Sequence, residues 1–341
     1  MSISVAILVV GILIALHELG HFAAARAMGM RVLRYSVGFF KAIWSYTSKK
    51  SGTVYQLGML PLGGFVQIKG MNPFEDNAES DPDSYLNKPV WRRALVLIAG
   101  PGANLLIAYL LLFGLYAASG IPRYLDKAGA GMVVPGSPAA AAGLEEGDEI
   151  LSVNGEAVTR WEDLTERLRA NPDRPVQLEV RRDGAARLLT VTPKNQNGVG
   201  IIGIGQPQEY VAMPVHHAAL AAAIKCRDVS VDTLQAVGKL LTFQNSGVQA
   251  TGLPGIVKMA AEALETGVRE FLAFTAYLSL MLFLFNMLPF PALDGGRGLF
   301  LLYEAILRRR VPPKLDVIVN SVGFFILLGL LVFMSFRDVL R

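Results

Sequence analysis

The chain has 341 residues, 52% of them hydrophobic and 18% charged, with a mean hydropathy of +0.40, too apolar for a soluble globule of this length and pointing to a membrane protein. A formal charge of +4, carried by Lys and Arg beside apolar segments without interleaved aromatics, argues against a nucleic-acid surface. The single cysteine, Cys226, cannot close an intramolecular disulfide and is expected as a buried thiol.

Four segments, at about 3–28, 94–118, 271–290 and 317–336, are long and apolar enough to cross about 30 Å of hydrocarbon as helices. The first has no basic residue before it and outruns the apolar core of a signal peptide, so it is expected to stay in the membrane. Basic residues from Arg31 to Arg93 lie between the first two spans, and from Arg297 to Lys314 between the last two. Positive charge in short loops stays cytoplasmic. Both loops are therefore expected in the cytoplasm, with both termini and the long segment between the second and third spans on the far side. The membrane part divides into a first half at 1–120 and a second at 271–341.

Within the first loop, "GTVYQLGMLPLGGFVQIKG" (52–70) alternates like a hairpin and ends in Gly-rich turns. The soluble texture of 121–205 reads as a small α+β domain. A strand is expected at "MVV", a short helix at "SPAAAAG", a strand at "EILSVNG", a helix at "WEDLTERLRA" and a hairpin of "VQLEVRRDG" with "ARLLTVTP". "GVGIIG" (198–203) fits a dinucleotide-binding spacing but lacks a following helix, so it is read as a domain-edge strand. In the linker at 206–270, "VDTLQAVGKLLTF" sets Val231, Leu234, Val237 and Leu241 on one helical face and is read as interfacial. Adjacent His216 and His217 cannot face one ion from a helix as an i, i+4 pair can.

The chemistry is concentrated in "ILIALHELGHFAAARAMG" (12–29), where an apolar run carries His17, Glu18 and His21. Ionisable groups at such depth need compensation. HExxH on a helix sets two imidazoles one turn apart on one face, able to hold one metal ion, with the intervening Glu placed to take a proton from a water. A catalytic zinc usually takes a third protein ligand and leaves one position open. Asp294, in "FNMLPFPALDGGRG", is the candidate. Local sequence alone leaves open an ordinary Pro-Gly helix exit with a solvated acid. Topology favours the ligand: at 1.5 Å per residue His17 lies about 21 Å into its span, and an even number of crossings brings Asp294 to a similar depth.

"HELGHFAAAR", "PLGGFVQIKG", "AGPGANLL" and "NMLPFPALDGG", in this order across essentially the whole chain, resemble the signature stretches of the site-2 protease family, in its bacterial RseP-type branch of intramembrane zinc metalloproteases. The resemblance implies a four-helix membrane core with a membrane-associated β-loop, His17, His21 and Asp294 as zinc ligands, and Glu18 as catalytic base. It implies substrate contacts for Asn286, Asn104 and, on the β-loop, Gly63, Gly64 and Phe65. It places such a protein in the bacterial inner membrane with its active site toward the cytoplasm. Its expected substrates are single-span membrane proteins such as anti-sigma factors or signal-peptide remnants.

"GSPAAAAGLEEGDEILSVNGEAV" resembles a PDZ domain of the bacterial protease type, which grips an extended peptide or C-terminus at a sheet edge; one such domain is found here, where enterobacterial relatives carry two. A metal transporter would need polar residues through several spans, and the second and fourth offer almost none. A catalytically inactive PDZ receptor would have no use for Glu18.

Overall fold

A computed structural model describes residues 2–72, 75, 80–196, 198–242 and 251–340. Residues 243–250 of the expected interfacial linker, including Phe243, lie outside the described residues. The chain divides into two compact units, residues 1–114 with 220–341, and residues 115–219.

The first unit opens with α1 (Ser2–Ala27). Its end is fixed by chemistry at Gly29, whose φ of +70° suits glycine. The Gly29 N–H reaches the Arg26 carbonyl (3.1 Å) and the Met30 N–H the Ala25 carbonyl (2.8 Å), satisfying two of the last free acceptors of the helix. Then come β1 (Val32–Thr47) and β2 (Val54–Ile68). Residues 32–37 of β1 pair with 64–68 of β2, and 42–47 pair with 54–58. The expected hairpin within 52–70 is thus one long bent strand, and its partner is the aromatic-rich run before it. Close packing at the bend requires glycine: a Cβ on Gly38 or Gly58 would meet the facing backbone.

α2 (Val90–Ser119) follows Pro89 and carries Pro101 in its interior, which withdraws one N–H from the helical ladder. After the second unit come α5 (Val215–Leu241), α6 (Leu253–Thr266), α7 (Val268–Met287), α8 (Asp294–Leu307) and α9 (Pro313–Leu340). Among the described residues, α1, α2, α7 and α9 are the helices long and apolar enough to span a membrane. α7 stops three residues before the expected end, because Leu288 precedes Pro289 and turns extended, with ψ 142°. α5 is not among the candidate spans, although it runs for 27 residues; Val231 and Leu234 of its expected apolar face are exposed. The loop expected between the last two spans instead contains α8.

In the second unit, β3 (Ile121–Tyr124) and β4 (Met132–Val133) precede α3 (Pro138–Ala141), β5 (Glu149–Val153), β6 (Glu156–Ala157), α4 (Trp161–Arg169), β7 (Val176–Arg182) and β8 (Ala185–Val191). Then follow β9 (Lys194–Gln196), β10 (Val199–Ile201), β11 (Ile204–Gly205) and β12 (Gln208–Val211). Its four-stranded sheet runs β6-β5-β7-β8. Ile150, Leu164, Leu168, Leu178 and Val180 are buried in its core. Alternation in β7 and the 3.6-residue spacing of Leu164 and Leu168 in α4 produce that burial. "GVGIIG" contributes β10, paired antiparallel with β9. β3 and β12 pair, so the chain enters and leaves this unit on neighbouring strands.

Candidate metal centre

The helical repeat sets His17 and His21 on one face of α1, both buried, with their Nε2 atoms 3.1 Å apart. Asp294, at the start of α8, brings Oδ2 to 3.2 Å from each. These are the three candidate ligands, and they form the one possible metal-binding group of His, Cys, Asp and Glu found among the described residues.

Both imidazoles are oriented from α2. His21 Nδ1–H donates to the Val96 carbonyl at 2.7 Å, which assigns the proton to Nδ1 and leaves the Nε2 lone pair facing Asp294. The side-chain Nδ2 of Asn104 lies 3.2 Å from His17 Nδ1, while its Oδ1 is buried and receives no hydrogen bond within the protein. With the amide oxygen turned to the ring, His17 Nδ1–H also has an acceptor and its Nε2 lone pair is free; the two ends of an amide are assigned by such partners. Ser279 on α7 donates to the Asn104 backbone carbonyl (2.8 Å), tying α7 to α2 at this level.

α1 and α2 approach closely because their contact residues are small. A Cβ on Gly20 would strike the Ala99 carbonyl, and one on Gly100 would overlap the His21 ring. β2 crosses beside the same face of α1. A Cβ on Gly64 would lie 3.5 Å from Glu18 Cγ. Tyr35 of β1 donates to the Ala15 carbonyl at 2.9 Å, fixing the strand pair against α1.

The remaining predicted residues are distributed unevenly. Gly63 and Gly64 are buried near this crossing and Phe65 is half-buried. Asn286 is half-buried on α7 and donates to the Leu282 carbonyl of its own helix at 2.9 Å. Asn104 is fully enclosed against His17. Sequence reasoning did not find the Val96 carbonyl, a backbone acceptor that leaves no compositional signal. Nor did it find the ion pair between Arg93 on α2 and Glu304 on α8, joined by bonds of 2.8 and 2.6 Å.

Three acceptor atoms in mutual contact repel unless they share a cation. Asp294 Oδ2 is buried and receives no hydrogen bond within the protein. Ligand atoms about 2.0–2.1 Å from a tetrahedral ion stand about 3.3 Å apart, close to the 3.1 and 3.2 Å separations here. Two imidazoles and a carboxylate suit zinc. The donor set fits.

Spanning helices and this cluster together define a class, the multi-pass membrane metalloproteases. The chain belongs to peptidase family M50, whose model matches residues 5–330. A protein of Nostoc sp. bearing the designation zinc metalloprotease is 34% identical, over 99% of this chain and 96% of its own. Another so designated, from Clostridium perfringens, is 34% identical over 100% and 99%. The regulator of sigma-W protease RasP of Bacillus subtilis is 28% identical over 98% and 97%.

Proposed function

We propose that this protein is an intramembrane zinc metalloprotease that hydrolyses peptide bonds in or near the transmembrane segment of single-span membrane proteins, with Glu18 as the base. The observation that carries this reading is the convergence of His17, His21 and Asp294 next to a Glu on a membrane-spanning helix. His17, His21 and Asp294 would hold the ion, oriented by Asn104, the Val96 carbonyl and the start of α8. When bound, zinc supplies a Lewis acid that polarises the scissile carbonyl and makes water acidic enough to attack near neutral pH. Glu18 takes the proton from the attacking water and delivers it to the leaving amine.

A membrane helix hides its peptide bonds in its own hydrogen bonds, so a substrate must be extended before attack. β2 beside Glu18 offers a strand to which an unwound segment can add, with Gly63, Gly64 and Phe65 lining the approach. Asn286, on the helix that leads to Asp294, is assigned to substrate handling. The domain at 121–205 acts as a PDZ module that takes an extended peptide or a C-terminus and so selects substrates already trimmed on its side. The protein would lie in the bacterial inner membrane with its active site toward the cytoplasm. The name of the Bacillus subtilis relative makes anti-sigma factors the first substrates to test, followed by signal-peptide remnants.

The deciding experiment compares the purified wild type with Glu18→Gln on a model single-span substrate. The variant is expected to keep zinc and lose cleavage. Equal cleavage by both would remove Glu18 from the chemistry and the protease mechanism with it.

A further inference from the structure

Asp294 reaches the two histidines from a turn that L-residues adopt reluctantly. Between α7 and α8, Leu293 N–H closes back on the Phe290 carbonyl at 3.2 Å. Pro291 occupies the second position of this turn, and Ala292, the third, has a φ of +72°. Pro second and positive φ third is the pattern of a type II turn, whose third position normally goes to Gly or Asn because a Cβ there crowds the backbone. Here it is Ala.

A side chain from α9 holds it. The Ala292 N–H donates to Oδ1 of Asn320 at 2.9 Å, while Asn320 Nδ2 donates to the Asp316 carbonyl at 2.9 Å and to the Asp316 carboxylate at 2.6 Å. The orientation of this amide is fixed, since a flip would set donor against donor and acceptor against acceptors. On the same helix a Cβ at Gly323 would strike Pro291, and at the start of α8 a Cβ at Gly295 or Gly296 would strike the carbonyls of Leu288 or Phe290. The turn is clamped between the two helices, and its Ala292 N–H goes to Asn320.

We propose that Asn320 is a positioning residue for the metal centre: by accepting the Ala292 N–H it holds the left-handed turn that aims Asp294 at His17 and His21. Ala292 stands two residues before Asp294, so relaxing it to an ordinary φ redirects the first turn of α8 and moves Oδ2 from its place 3.2 Å from both imidazoles. This inference rests on the metal reading of that cluster.

The test titrates the full-length protein, stripped of metal in detergent, with Co2+, whose visible absorption reports coordination, and then displaces it with Zn2+. Wild type is expected to bind one ion; failure to do so would remove the metal reading itself. Asn320→Leu should weaken binding by roughly 10–100-fold, the usual effect of losing an outer-shell partner. Ala292→Gly alone should leave affinity unchanged, and in the Asn320→Leu background it should restore most of the loss, because glycine takes positive φ unaided. A general packing defect would not be rescued this way. Ala292→Val, with Asn320 intact, should weaken the ion as well, and it decides the matter if Asn320→Leu does not fold. Wild-type affinity in folded Asn320→Leu or in Ala292→Val, or a loss that Ala292→Gly fails to reverse, overturns the proposal.

Discussion

Asn104 of α2 meets His17 of α1 with its amide 3.2 Å from the imidazole Nδ1, fully enclosed between helices. With its amide oxygen turned to the ring, it does for His17 what the Val96 carbonyl does for His21. A ring held at Nδ1 has one free lone pair, on Nε2, and no freedom to turn it away. Asn104→Leu removes the acceptor and should lower zinc affinity by roughly 10–100-fold. Asn104→Asp keeps an oxygen for Nδ1–H and should retain much more of it. Competition with a chromophoric chelator on the purified protein measures both. Equal affinity in Asn104→Leu and wild type would reduce Asn104 to helix packing.

The glycines of the α1–α2 contact make a sharper comparison. A Cβ on Gly100 would overlap the His21 ring, whereas one on Gly102 meets nothing within 4 Å. Gly100→Ala should therefore cost about 100-fold or more in metal affinity, by displacing a proposed ligand in a site that tolerates only small errors. Gly102→Ala, two residues further along the same helix, should bind like wild type. Metal stoichiometry after size exclusion separates them, and a Gly100→Ala protein with full metal content would contradict the packing described.

The sequence pattern reached only some of these relationships. His17 and His21 were legible because their relation is local: four residues on a helix fix a shared face. Asp294 required counting crossings, and the family resemblance, to join two positions far apart in the chain. α8 was not legible, because Gly295, Gly296 and Gly298 after two prolines read as loop chemistry, and the helix forms with Gly295 and Gly296 packed on the preceding turn. β1 was passed over because Arg34 and Lys41 marked it as a basic loop, although its aromatics pair along β2. Arg93 read as a membrane-flanking charge, and nothing at its own position announces a partner at Glu304. Such partners come from tertiary structure, which a single sequence encodes only in aggregate.

That Arg93–Glu304 pair supports the proposed third ligand indirectly, because α8 carries Asp294 at its start and Glu304 near its end. Arg93 is 4% exposed and Glu304 16% at the side chain, and Arg310 adds a bond to the Leu86 carbonyl at 2.6 Å. The Arg93 guanidinium holds the Glu304 carboxyl below its usual range. Arg93→Met leaves Glu304 without its main partner and should cost about 2 kcal/mol, less than for a fully enclosed pair because Glu304 keeps an edge to solvent. Arg93→Met with Glu304→Met should cost less than the sum of the single changes, since neither charge is then left alone. Thermal unfolding of the purified variants tests both statements.

In the second unit the corresponding anchor is Asp148, 2% exposed, which accepts from Arg182 at 2.7 and 2.6 Å and from the Glu145 N–H at 2.9 Å. Arg182 also donates to the Gly143 carbonyl at 2.7 Å, so one guanidinium ties the loop before β5 to strand β7. The pairing holds the Asp148 carboxyl below its ordinary range. A folded-state value below the unfolded one means that the unfolded chain takes up the proton first as pH falls. The stabilisation is therefore complete above an ordinary aspartate value of about 3.9 and is lost progressively below it. In a full-length protein with Trp44 and Trp91 replaced by Phe, Trp161, which packs against this core, reports unfolding of the unit by urea. The wild-type midpoint should fall between pH 6 and pH 3 more steeply than that of Asp148→Asn, which should already be lower at pH 6. Parallel pH dependences in the two proteins would show that the acid sensitivity of the unit arises elsewhere.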